Sequence, residues 1–382
     1  MDICILSMQK VLNFGSLLQS YALRSILQNM GHKVDFIDIE PIKEDFELLS
    51  SFKEFAEEKE EGERGSILNK LRKLDKYVAI RVCNRIRSKR QDGYLQHFQR
   101  SYLGIQESGE NKKRYDLCVI GSDEVFNCMQ KSKWGFTSQL YGNVPQADHV
   151  ITYAASCGST TLEDIPIQVK NKILQTFNQV EGFSVRDNNT KEFVSALTNQ
   201  KVTINLDPAF IYDFSSEIEE AKGSLNLPAR YCLVYSYPNR INNSKDINSI
   251  IKFCREKNLE IIAVGEQQYW IKKYLVLTPF QLLCAFCKAE FVITDTFHGA
   301  IFATKYAKRF AVMVRRSNRN KLTDLIERVN ILKHRIDSFE EIEKVYPIIN
   351  NLDETRLKIS SEYNRAVQYF EESFREINIS GV

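Results

Sequence analysis

Short apolar runs alternate with helical segments along most of this chain, and each run ends in a small polar turn. Residues 2–6 read as a strand, followed by the turn Asn13-Phe14-Gly15-Ser16. Leu17, Leu18, Tyr21, Ala22, Leu23, Ile26 and Leu27 then recur at helical spacing until Gly31, and Lys33 to Ile39 is a second strand. Strand, helix, strand at this spacing implies two parallel strands joined by a right-handed crossover. The rhythm resumes at Asp116–Ile120 and continues through 149–155, 182–185 and 202–206. A second block starts at Tyr231–Ser236 and runs through 260–264, 291–294 and 310–314. Two successive blocks predict an α/β protein with two doubly wound sheets facing across a cleft. The suggestive turns lie where strands end, at Asn13–Ser16, Gly121–Asn127, Ala155–Gly158, Ser184–Asp187 and Thr294–Gly299. Ligands of such sheets bind at those carboxyl ends.

The chain has 382 residues, enough for two ordinary domains. The expected division is 1–207 for the first domain, 208–350 for the second, and 351–382 for a helix that packs back across both. A charged segment at about 41–113 interrupts the first domain. Acidic residues crowd Glu54 to Glu63 and basic residues crowd Lys70 to Arg90, above Leu68, Leu71, Leu74, Val78, Val82 and Ile86 at helical spacing. That pattern suits a solvated helix, or a helix over residues 68–90 that meets an anionic membrane surface or a lipid diphosphate.

A net charge of +3 gives no reason to expect nucleic acid as a partner. The start, MDICILSMQK, reads as a strand without the flanks of a signal peptide. No apolar run is long enough to span a bilayer. The nine cysteines are scattered, which fits reduced thiols in the cytosol, with a peripheral place at the inner membrane face left open. Cys284 and Cys287 stand alone as a C-x-x-C in an apolar helical run, and no carboxylate pair has metal-ligand spacing, so no metal and no cofactor is expected. The run Val292–Tyr306 is the most telling: a buried strand, the turn Thr294-Asp295-Thr296, then His298 and Gly299 at the start of an apolar helix. A helix amino end there suits an anion, and a histidine on that turn suits proton transfer.

The runs NFGSLLQSYALRSILQNMGHKVDFIDIE, DLCVIGSDEVFN, YAASCG, FSVRD, LDPAF and TDTFHGAIFATKYAKRF occur in the order found in polysaccharide pyruvyl transferases, which the chain resembles over most of residues 1–330. The resemblance implies two Rossmann-like domains in a GT-B-like arrangement. It implies phosphoenolpyruvate as donor and a sugar of a bacterial capsule, exopolysaccharide or polyprenyl-diphosphate-linked precursor as acceptor. The product would be a cyclic pyruvate ketal across two sugar hydroxyls. It places the family's His-Gly histidine on His298 and its donor-binding arginine on Arg186. Some members carry an arginine where this chain has Thr296, so Arg315, Arg316, Arg319 or Lys321 would have to replace that contact.

The implied chemistry needs an acid to protonate the methylene carbon and a base to take a hydroxyl proton. His298 suits the acid. Asp123 suits the base, or else caps the next helix, with Glu124 as fallback. Asp295 is placed to orient His298. Arg186, Thr296, Gly299, Arg315 and Arg316 form the expected donor set. Asn13, Gly15, Ser16, Ser122, Glu124 and Ser156 form the expected acceptor set, although Asn13–Ser16 also reads as a plain tight turn. Two other readings stay open: a nucleotide-sugar glycosyltransferase using Glu266 for ribose, and a non-catalytic glycan-binding relative.

Overall fold

The computed structural model describes residues 1–45, 48, 74–105, 113–129, 136–315 and 318–380, with backbone alone for 74–86, 224 and 378–380. Its strands are β1 (Asp2–Leu6), β2 (Lys33–Phe36), β3 (Tyr115–Asp123), β4 (Ala147–Ala155), β5 (Phe183–Val185), β6 (Val202–Ile204), β7 (Tyr231–Tyr235), β8 (Glu260–Ala263), β9 (Lys273–Tyr274), β10 (Phe291–Thr294), β11 (Phe310–Met313) and β12 (Arg335–Ile336). They form two six-stranded sheets, in the orders β2-β1-β3-β4-β5-β6 and β12-β11-β10-β7-β8-β9. The pairings are parallel, as in Ile5 against Val119 and Ile293 against Val234. The central strands are buried on both faces, which is why β1, β7 and β10 read as unbroken apolar runs rather than alternating ones.

Each sheet reverses its winding direction once. The reversal in the first sheet lies between β1 and β3, and in the second between β7 and β10. Loops leaving two such strands diverge to opposite faces and open a crevice at their carboxyl ends. Here the two crevices adjoin, because the helices after β1 and β10 meet in one hydrophobic core. That core holds Phe14, Leu17 and Leu18 from the helix Phe14–Asn29, with Phe297, Ala300 and Ile301 from the helix Phe297–Tyr306. Lys305 of that helix pins the segment after β6 to it, its buried Nζ donating to the carbonyls of Ala209 (2.8 Å) and Tyr212 (2.6 Å).

Two long helices tie the lobes together. The helix Leu74–Tyr102 belongs to the insert. Its Gln91 Nε2 donates to the Leu277 carbonyl (2.8 Å) while its Oε1 accepts from the Leu277 amide (3.0 Å), and its Gln99 Nε2 donates to the Gln9 carbonyl (2.9 Å). One face of the insert helix thus packs against both sheets' loops, while Arg87, Lys89 and Arg90 remain exposed. The rest of the basic run considered for membrane contact falls on residues whose side chains lie outside those described. The helix Leu352–Ser380 leaves the second sheet and packs onto the first. There Tyr369 donates to the Thr152 carbonyl (2.8 Å) and Phe370 stacks on Tyr153, with ring centroids 4.7 Å apart. No helix among the described residues is long and apolar enough to cross a membrane.

Candidate active site

The turn after β10 carries the histidine. Thr296 is the cap of the helix Phe297–Tyr306, its Oγ1 accepting from the Gly299 amide (3.0 Å). This places His298 in the first turn, facing the other lobe. The helix after β1 is capped likewise: Asn13 Oδ1 accepts from the Ser16 amide (2.8 Å). Gly15 then lies directly under the imidazole, and a Cβ there would fall on its Nδ1 and Cγ. The glycine is needed for close approach between lobes rather than for an unusual dihedral angle.

Asp207 is the fixed point beneath the histidine. It is fully buried. Its Oδ1 accepts from the Ala209 amide (3.0 Å), which holds the carboxylate still. Its Oδ2 accepts from Arg186 Nη1 (3.0 Å) and lies 3.6 Å from His298 Nε2, too far for a hydrogen bond but within ion-pair distance of an imidazolium. Burial alone would push the Asp207 carboxyl up, but the neighbouring His298 and Arg186 outweigh it and hold the carboxyl at about 2. Burial would likewise weaken the Arg186 cation. The Asp207 charge, followed by Asp123, Asp187 and Glu124, instead raises its pKa above the usual arginine value. The guanidinium lies over the Phe297 ring, 4.2 Å from the centroid. Arg186 Nε and His298 Nε2 are buried and have no hydrogen-bond partner among the described residues. Such groups are uncommon in folded proteins and mark places where a ligand atom fits.

Two more carboxylates close the other side. Asp123 has a left-handed backbone (φ 75°), and its Oδ2 accepts from Ser16 Oγ (2.7 Å) while Oδ1 sits 3.6 Å from Arg186 Nη1. Glu124 Oε1 accepts from Lys321 Nζ (2.6 Å), and Oε2 accepts from Asn127 Nδ2 (2.9 Å). Burial would raise the Glu124 carboxyl; Lys321, then Arg186 and the Asn127 bond, bring it down to about 2.

These groups surround a cavity of about 180 Å³, walled by Asn13, Ser16, Asp123, Glu124, Arg186, Tyr237, Phe297, His298 and Lys321 among others. A larger cavity of about 710 Å³ adjoins it and shares Asn13, Tyr237 and His298 as common wall. Its other walls include Tyr235 at the end of β7, the loops after β7 and β8 (Ser236, Gly265, Glu266), Tyr274, and Ser88, Gln91, Asp92 and Leu95 of the insert helix. Small-molecule sites typically combine such volumes with a few convergent polar groups.

A model of the polysaccharide pyruvyl transferase family matches residues 13–317. The chain belongs to the polysaccharide pyruvyl transferase family. It is therefore related to transferases that act on polysaccharide. No curated protein sequence matches it. Similar solved structures include a UDP-GlcNAc 2-epimerase from Methanocaldococcus jannaschii (12% identity, 92% of this chain and 93% of that one, TM-score 0.45). Another is the UDP-N-acetylglucosamine 2-epimerase from Rickettsia bellii (11%, 99% and 95%, TM-score 0.49). A UDP-glucosyltransferase from Polygonum tinctorium is also similar (10%, 100% and 98%, TM-score 0.42).

The structure brings His298, Asp123, Glu124, Arg186, Asn13 and Ser16 to one small cavity. Other expected site residues lie elsewhere. Thr296 caps its helix and faces the larger cavity. Gly299 is buried, where a Cβ would strike the Thr294 and Thr296 hydroxyls, and its amide is already used by Thr296. Gly15 acts as a spacer under the imidazole. Ser122 is buried and donates to Gln19 Oε1 (2.6 Å), and Ser156 is buried and donates to Asp187 Oδ2 (2.7 Å), so neither wall is open to an acceptor. Arg315 turns away: its Nε donates to Asp295 Oδ2 (2.9 Å) and its guanidinium lies near the Phe339 ring. Asp295 therefore anchors Arg315 and does not orient His298; Asp207 faces the histidine instead. Arg316 lies outside the described residues. Among the described substitutes for an arginine at 296, Lys321 is the one that reaches the small cavity.

Sequence reasoning passed over Asp207 and Tyr237. Asp207-Pro208 read as the exit from the first domain, yet it follows β6 at the same sheet edge as the other turns. Tyr237 stands in a loop with no motif.

Proposed function

We propose that this protein transfers the pyruvyl group of phosphoenolpyruvate to a sugar of a surface polysaccharide or its lipid-linked precursor, forming a ketal and releasing phosphate. One observation carries the reading: a cavity of about 180 Å³ with Arg186, Lys321 and His298 on its walls adjoins, across His298, a cavity of about 710 Å³, inside a member of this family. The donor carries a carboxylate and a phosphate, and fixed guanidinium and ammonium groups bind such anions. The Arg186–Asp207 pair is buried at both ends and stays as it is. The Lys321–Glu124 pair is about a fifth to a quarter exposed, so its ammonium is the one free to exchange Glu124 for the donor.

The reaction calls on the imidazolium form of His298, which gives its Nε2 proton to the methylene carbon, the future ketal methyl. Positive charge then develops at the adjacent carbon. A sugar hydroxyl from the larger cavity adds its oxygen there while Asp123 takes the hydroxyl proton. A second hydroxyl forms the other carbon–oxygen bond and gives its proton to the now neutral His298, the bond to the phosphate oxygen breaks, and phosphate leaves with the electron pair. Asp207 remains ionised throughout and stabilises the imidazolium. Purified protein should release phosphate from phosphoenolpyruvate only when an acceptor glycan is supplied, with a pyruvate ketal seen by mass spectrometry. Absence of donor binding by calorimetry, with no turnover across a broad acceptor panel, would overturn the reading.

A further inference from the structure

The larger cavity has a chemical character of its own. Its described walls carry two carboxylates, Asp92 from the insert helix and Glu266 from the loop after β8, and neither lysine nor arginine. Three tyrosines share the space. Tyr235 is wedged against Gly265 and Gly299, either of which would collide with its ring if it bore a Cβ. Tyr274 donates its hydroxyl to the Gly265 carbonyl (2.7 Å), which fixes the loop that carries Glu266. Tyr237, with Arg240 over its ring at 4.5 Å, stands at the junction with the small cavity. Rigid aromatic faces with carboxylate acceptors suit a hydroxylated ring: the face stacks on the apolar side of the sugar, and the carboxylates accept its hydroxyls.

Glu266 also senses the charge of Asp92. Glu266 lies open to the cavity mouth, yet the protein crowded around its carboxyl, and then the Asp92 charge, push it above the usual carboxylate range. A further anion beside them would meet the same field.

We infer that Asp92 and Glu266 make the larger cavity a site for a sugar residue bearing no negative charge, and exclude uronic acids and diphosphates from it. The inference rests on the proposed function only for calling this sugar the acceptor; the charge preference stands on the cavity itself. The insert thereby takes part in recognition, because Asp92 on its helix helps to set specificity at a site built mainly from loops of the second sheet.

The test is calorimetric binding of p-nitrophenyl glucoside and p-nitrophenyl glucuronide, without donor, to the full chain and to Asp92→Asn/Glu266→Gln. These probes differ only at carbon six. The glucoside should bind at least about tenfold more tightly than the glucuronide, since juxtaposed like charges are costly. The double variant should narrow that ratio to about threefold or less, mainly by admitting the glucuronide. Equal binding of the two probes, no binding of either, an unchanged ratio in the folded variant, or displacement of the glucoside by uridine diphosphate would each overturn the inference. Donor binding measured in parallel fails or succeeds independently, so loss of the phosphoenolpyruvate reading is distinguishable from loss of this one.

Discussion

The two adjoining cavities are built on opposite electrostatic plans. In the small one, cations and carboxylates are interleaved: Arg186 with Asp207 and Asp123, Lys321 with Glu124, His298 with Asp207. In the large one, the described charged side chains besides the shared histidine are acids, set among tyrosines. On the proposed reading, the first arrangement takes a charged donor by exchanging one internal anion for an external one, and the second takes a hydroxylated ring and repels anions. A single imidazole on the shared wall joins them, which is the geometry a transfer reaction between unlike substrates requires.

The most direct way to break the comparison is to remove the shared group. His298→Ala should lower turnover by about a thousandfold, within the range for a lost general acid, while donor binding by calorimetry changes little and the unfolding midpoint falls because buried Asp207 loses a neighbour that holds it ionised. Activity within threefold of the parent would remove the histidine from the acid role. Gly15→Ala probes the same wall from the other lobe. Its methyl would displace the imidazole, and a shift near 1 Å costs about a hundredfold in kcat; a crystal structure should show the ring moved. Unaltered kinetics would mean that the lobes relax apart freely.

The fixed pair of the small cavity is tested by pH. The Asp207 carboxyl is about 2 in the folded protein against 3.8 for the free group. The unfolded chain therefore binds more protons between those values, and stability falls as pH drops through the window. That difference corresponds to about 2 kcal/mol, present above pH 4 and lost toward pH 2. The gap in unfolding free energy between parent and Asp207→Asn should shrink by that amount across the window in acid titrations. The smallest effect sharpens the contrast: Lys321→Met should raise KM for the donor about tenfold, as loss of one partly exposed charge contact would, and leave acceptor KM unchanged. An equal rise in both would mean that the cavities do not divide the substrates.

Much of this was legible in the sequence because parallel sheets write themselves plainly. Buried strands appear as apolar runs, and the turns at their ends name the sheet edge where a site forms. His298, Arg186 and Asp123 follow from that rule. The rule says which edge a residue occupies, but not which way its side chain turns. Ser122 and Ser156 share the edge yet point inward to Gln19 and Asp187. Arg315 lies near the turn in sequence, and Asp295 holds it away. Asp207 was missed because an Asp-Pro step after the last strand also reads as the exit from a domain, and its partners Arg186 and His298 are far off in sequence. The insert helix carried a clear apolar stripe, but periodicity states only that one face is covered. That Gln91 grips Leu277 while Asp92 enters a cavity depends on tertiary placement.

The contact between Gly15 and His298 couples two positions that are 283 residues apart in the chain (298 − 15). Any substitution at the first adds bulk where the ring now rests, and any larger ring at the second meets the backbone of the first. Neither site can drift alone without loss, so their histories in related sequences should be tied, with glycine persisting wherever the histidine does. The reason is lack of room, and it would hold even if residue 15 never touched a substrate.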